Sequence, residues 1–211
     1  MKITFVYQQH KIIPFLQLHM KRVAAVAKTI ADNETLPVDN EDIARAMLLH
    51  DMGNILKFKF DRFSKELEPE GKTYWERVQQ EYKGKYGEDE HLATLSIAQE
   101  LHMSDRVREL IGSVGFIQSK RNSERDDMSI KICCYSDQRV TPFGVTTLEE
   151  RIAEARKRYL GNPKYDFDRD APFLFTIEDQ IFSKNKLKPG DITEESIEPL
   201  LHSDYFDSLE F

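Results

Sequence analysis

Four side chains stand out by type and by phase: His19, His50, Asp51 and Asp137. His19 lies three residues after Leu16 and four before Val23, so it shares the apolar stripe of the segment that starts at Pro14. His50 follows Ile43 by seven and Ala46 by four, which also turns it inward, with Asp51 at the edge of that face. Asp137 follows Ile130 by seven and Cys133 by four. A carboxylate on an apolar face needs a partner, because burying an isolated charge is very costly. Helices that each send a His or Asp into one interior are how a bundle builds a metal site. Two imidazoles with two carboxylates suit an octahedral first-row divalent ion with open water positions. Taken singly, each residue has a blander reading: an inward His is more often a satisfied core residue, and an inward Asp can cap a helix or pair with an Arg. The ordered set favours the metal.

The elements that must position these residues read as helices almost throughout. The chain has 211 residues, 40% hydrophobic and 32% charged, with 9 Gly and 8 Pro, too few for a turn-rich sandwich. One stripe runs Leu16, Val23, Val26, Ala27 and Ile30. Asp39 and Asn40 offer an N-cap to a second helix, carrying Ile43, Ala46, Met47 and Leu49, which Gly53 ends. Residues 57–87 mix aromatics (Phe58, Phe60, Phe63, Tyr74, Trp75, Tyr82, Tyr86) with charge; they predict a mobile excursion beside the pocket, with a short helix around 73–83. Helices follow at Leu92–Leu101, after a Ser104 cap, and over 128–139, with a polar loop at 118–127 between the last two. Thr147 and Glu150 form a capping box for the next. Gly161, Pro163 and Pro172 mark a linker, beyond which short helices are expected at Phe173–Phe182 and from near Asp191. The expected organisation is a main domain over residues 1–160 and a helical extension over 161–211 packed on it.

Net charge is −7, which argues against a broad surface for tracking a nucleic acid duplex. No segment approaches the roughly 20 apolar residues of a membrane span, and the N-terminus lacks a signal core. The two cysteines, Cys133 and Cys134, are adjacent and poorly placed to bridge. A reduced, cytoplasmic protein is the simplest expectation, with a homo-oligomer left open.

The series His19 … His50-Asp51 … Asp137 resembles the HD-domain superfamily of metal-dependent phosphohydrolases, whose pattern is H…HD…D. Leu18-His19-Met20-Lys21-Arg22-Val23, Ala46-Met47-Leu48-Leu49-His50-Asp51-Met52-Gly53-Asn54 and Tyr135-Ser136-Asp137-Gln138-Arg139-Val140 are similar to its motifs, and the resemblance spans roughly residues 10–160. It implies an all-α bundle around a divalent ion (Mn, Co, Ni, Fe, Mg or Zn) held by His19, His50, Asp51 and Asp137. It implies hydrolysis of a small phosphorylated molecule, a nucleotide being expected, by a metal-activated water.

Some members hold two metals through extra histidines. His91 falls where the first of these would lie and is an auxiliary ligand, a phosphate contact or a core residue; the second is missing. At position 54, where relatives carry a carboxylate or a Lys, this chain has Asn54, which can orient water but cannot act as a base. Any base would be Asp51 or the metal-bound water. Arg139, two residues past Asp137, and Lys57 are candidate phosphate contacts, with a surface salt bridge as the alternative for Arg139. The rival functions are a binding module that kept the metal cage without turnover, and a di-iron oxygenase-like enzyme, which would need further His ligands.

Overall fold

The computed structural model describes residues 1–62 and 67–211. The described residues are all-α apart from one hairpin. The helices are α1 (Ile3–Gln9), α2 (Pro14–Asp32), α3 (Asn40–Leu49), α4 (Lys72–Tyr86), α5 (Glu90–Glu100), α6 (Asp105–Gly112), α7 (Ser119–Ser123), α8 (Met128–Asp137), α9 (Leu148–Arg158), α10 (Phe167–Phe182), α11 (Glu194–Leu201) and α12 (Tyr205–Ser208). Strands β1 (Val140–Thr141) and β2 (Gly144–Val145) pair antiparallel, Val140 opposite Val145. Gly144 has a φ of +139°, a conformation that only glycine adopts readily.

Two helices run through the centre. In α3, Ile43, Ala44, Ala46, Met47, Leu48 and Leu49 are all buried, and in α8 every residue from Ser129 to Ser136 is. A helix apolar nearly all round must be covered on all sides: α2, α6 and α8 pack on α3, and α2, α7 and α10 on α8. Pro14 opens α2 at its first turn, where its missing N–H is harmless. Tyr7 of α1 donates its hydroxyl to the Leu48 carbonyl at 2.6 Å, tying the last turn of α3 to the N-terminal helix.

Several expectations need correction. Asp39 sits at the N-cap of α3 without capping it; its carboxylate instead accepts from Arg106 Nε at 2.7 Å. Arg106 also forks onto Asp127 at 2.8 and 3.0 Å, so one guanidinium ties α6 to the starts of α3 and α8. The polar stretch 118–127 is not simply a loop: Ser119–Ser123 is helical, and its polar groups are buried because they are bonded, Asn122 Nδ2 to Ser113 O at 2.8 Å and Ser119 Oγ to Asp170 O at 3.1 Å. The helix expected at 73–83 is α4, longer at both ends. It buries Trp75, Val78 and Tyr82, and its Gln79 Nε2 donates to Ile55 O at 2.6 Å. Phe63 lies outside the described residues. Residue 172 is not in a linker: Asp166 caps α10 by accepting from Arg169 N, and the helix runs through Pro172. The capping boxes and caps read at Thr147–Glu150 and Ser104 are present.

Helix α10 lies against α7, α8 and α9, and α11 against α2. The chain ends meet: Phe211 N donates to Met1 O at 3.1 Å and the Met1 ammonium to Phe211 O at 3.2 Å. No helix of the described residues is long and apolar enough to cross a membrane.

Candidate metal centre

Three elements bring His19, His50, Asp51 and Asp137 together. His19 projects from the second turn of α2. His50 and Asp51 directly follow α3, and Asp137 is the last residue of α8. Donor atoms of His19, His50 and Asp51 all lie within 4.8 Å of one another. His19 Nε2 is 3.5 Å from Asp51 Oδ2 and 3.5 Å from Asp137 Oδ1. His50 Nε2 is 3.7 Å from Asp51 Oδ1 and 3.5 Å from Asp137 Oδ1. These gaps are too long for good hydrogen bonds. They suit a shared cation better: donors each about 2.1 Å from one ion stand about 3.0 Å apart at right angles and about 3.4 Å apart in a tetrahedron.

His50 carries the clearest sign of a missing positive partner. Its Nδ1–H donates to the Met47 carbonyl at 2.7 Å, which makes Nε2 the nitrogen turned to the cluster and the one that must give up its proton to bind a metal. That Nε2 is buried and has no hydrogen-bond partner. The electrostatics say the same. Burial opposes charging of His50, but the Asp51 carboxylate, followed by Asp137, outweighs it and pushes the imidazole up to about 9. Burial would raise the Asp137 carboxyl, yet the imidazoles of His19 and His50 beside it hold it well below the usual carboxylate range. In the metal-free protein a proton on His50 therefore offsets the carboxylates. The C-termini of α3 and α8 add partial negative charge from their last carbonyls at the same spot. The donor set fits a divalent cation.

Two supporting residues escaped the sequence reading. Gln138 is buried and donates through Nε2 to Asp137 Oδ2 at 2.7 Å. Thr94 of α5 accepts from Gly53 N at 2.9 Å and donates to Glu90 O at 2.9 Å, locking α5 onto the turn after the His-Asp pair. Gly53 is needed there for closeness: a Cβ on it would lie 2.2 Å from the Glu90 carbonyl oxygen. A small polar residue facing a glycine leaves no sequence pattern, and Gln138 is hidden by its more conspicuous neighbours.

The remaining candidates separate. Asn54 is buried in the 3-10 turn Asn54–Lys57, its N–H donating to Asp51 O at 2.9 Å. Lys57, half exposed, has its Nζ 3.4 Å from Glu90 Oε1. Burial works against its charge, but Asp51 and Glu90 outweigh it and raise its pKa. His91 sits in the first turn of α5, its backbone N–H accepted by the Asp89 cap, and is outside the cluster of His19, His50 and Asp51. The phosphate contact expected of Arg139 is corrected. Its side chain is almost wholly buried, and it donates to Thr146 O (2.5 Å), Tyr135 Oη (2.5 Å), Pro189 O (3.2 Å) and Ile192 O (2.9 Å). Just past the end of α8, this guanidinium lies in the core, where it braces the hairpin and the segment before α11.

In comparison with known proteins, residues 17–108 match the family model described as HD domain. Neither the curated proteins nor the solved structures gave a match.

Proposed function

We propose, from the match of residues 17–108 to the HD domain model and from the His–Asp cluster, that the chain is a metal-dependent phosphohydrolase acting on a small phosphorylated molecule, a nucleotide by preference. The observation that carries this reading is the buried, unpartnered His50 Nε2 set 3.5–3.7 Å from two carboxylates. His19, His50, Asp51 and Asp137 would hold one divalent ion. When bound, that ion polarises a phosphoryl oxygen and lowers the pKa of water. Met47 O and Gln138 keep the His50 and Asp137 side chains aimed. The Asp51 carboxylate accepts the proton of the attacking water. Asn54 orients that water through its amide and cannot take the proton. Lys57, raised in pKa by Asp51, stays charged and contacts the phosphate.

The test is hydrolysis of an aryl phosphate and of nucleoside monophosphates by the protein loaded with Mn²⁺, Co²⁺ or Ni²⁺. Asp51→Ala should lower the rate at least about 10²-fold, as loss of a positioned proton acceptor does, and Asn54→Ala should lower it less. If the wild type binds metal but turns over neither class of compound, a non-catalytic binding module replaces this reading.

A further inference from the structure

Beyond the matched residues 17–108, the chain returns to Glu90 at the start of α5, the helix packed on the turn after the His-Asp pair. Glu90 Oε1 receives two ammonium groups, Lys57 Nζ at 3.4 Å and Lys164 Nζ at 3.9 Å. Lys164 belongs to the segment between α9 and α10, and Lys57 to the turn that follows the His-Asp pair. This shared carboxylate brings Tyr165, next to Lys164 in sequence, beside Lys57, whose charge is in turn felt with that of Asp51.

The segment is built of rings. Tyr159 and Tyr165 have centroids 4.4 Å apart at 33°, and Tyr165 stacks on Phe167 at 6.1 Å and 27°. Phe167 and Phe116 carry the row into the core at 4.7 Å. The phenylalanines are buried, while the two tyrosines keep part of their surface in solvent. Arg151 of α9 adds a guanidinium that is mostly buried: its Nη1 reaches Glu154 at 3.0 Å, and its Nε has no hydrogen-bond acceptor among the described residues. Burial lifts the Tyr165 phenol, and the neighbouring Lys57 and Arg151 charges work against that lift. Rings backed by a packed aromatic row, partly exposed, and edged with the Lys57 and Arg151 cations suit a planar, electron-rich ring attached to an anion.

We propose that Tyr159 and Tyr165, held beside Lys57 by the Lys164–Glu90 pairing, form the wall that receives the organic portion of the substrate, and that this portion is a planar nucleobase. The proposal rests on the reading of the His–Asp cluster as the phosphate end. It makes the part of the chain outside the matched domain the determinant of substrate choice.

The test is equilibrium binding by calorimetry, using the full chain loaded with Mn²⁺ and two probes that it cannot hydrolyse, the methylene-phosphonate analogues of adenosine monophosphate and of ribose 5-phosphate. The wild type should bind the nucleotide analogue about tenfold tighter or more. Tyr159→Leu combined with Tyr165→Leu should abolish that preference and leave affinity for the ribose 5-phosphate analogue unchanged. Should the double variant fail to fold, Tyr159→Leu alone carries the same comparison. Equal binding of the two probes by the wild type, or a preference that survives loss of the rings, overturns the wall. Failure to bind Mn²⁺ overturns the reading of the centre itself, whereas binding of Mn²⁺ and the ribose 5-phosphate analogue without a base preference overturns the wall alone.

Discussion

Gln138 donates to Asp137 Oδ2 at 2.7 Å and so leaves Asp137 Oδ1 as the oxygen that faces both imidazoles, each at 3.5 Å. A ligand oxygen aimed in this way loses precision, not charge, when its support goes. Gln138→Ala should weaken Mn²⁺ binding about 10- to 100-fold, the usual effect of removing a group that orients a ligand. Metal titration followed by calorimetry measures it; an unchanged affinity would mean that the hydrogen bond does not position Asp137.

The same cluster sets a pH dependence. His50 is charged in the metal-free protein up to about pH 9, above the 6.5 of a free imidazole, and must lose that proton to become a ligand. Metal affinity should therefore climb about tenfold per pH unit from near 7 and level off above about 9. Without metal the sign for stability is opposite. The raised pKa contributes stability that is fully present below 6.5 and fades as pH rises through about 9. Titrations of Mn²⁺ at several pH values, in buffers of different ionisation enthalpy, should report proton release near pH 7; a flat affinity across this range would contradict the charge state of His50.

Arg139 offers a contrast between two roles. As a brace it satisfies Thr146, Pro189 and Ile192 carbonyls and the Tyr135 hydroxyl, and each buried acceptor left without a donor costs about 1–3 kcal/mol. Arg139→Met should lower the melting temperature by about 6 °C or more, taking about 2–4 °C per kcal/mol for a chain of this size. The KM of the folded variant for a phosphorylated substrate should not change. A stable variant with a tenfold higher KM would restore the phosphate contact.

Gly53 tests the clamp between α5 and the His-Asp turn. A methyl group there meets the Glu90 carbonyl oxygen at 2.2 Å and the Ala93 side chain at 2.9 Å, both on a packed helix. Gly53→Ala should destabilise by about 1–3 kcal/mol, the range for forcing an extra carbon into a tight contact. The loss should appear as a lower denaturation midpoint with the slope unchanged. A midpoint equal to the wild type's would show that α5 yields easily.

The helical frame was legible because α2, α3 and α8 carry unbroken apolar phases, and a His or Asp out of place on such a face is visible. Arg139 is two residues past Asp137, about 200° round from it and beyond the last residue of α8, so the phase that turned Asp137 inward gave no sign of an Arg that would meet buried carbonyls of residues 146, 189 and 192. Composition misled at 118–123, where hydroxyl and amide side chains are buried through hydrogen bonds that cross to α10 and to Ser113. Pro172 read as a breaker, yet α10 carries it within a helix already started by the Asp166 cap. Nothing local in Lys164 announced its meeting with Glu90, a pairing that only the return of the chain after α9 creates.

The most direct measurement is anomalous scattering from a crystal of the protein soaked in Mn²⁺. One peak is expected, with His19 Nε2, His50 Nε2 and one oxygen each of Asp51 and Asp137 about 2.0–2.3 Å away. A peak elsewhere, or no peak at a Mn²⁺ concentration that saturates the protein in solution, would contradict it.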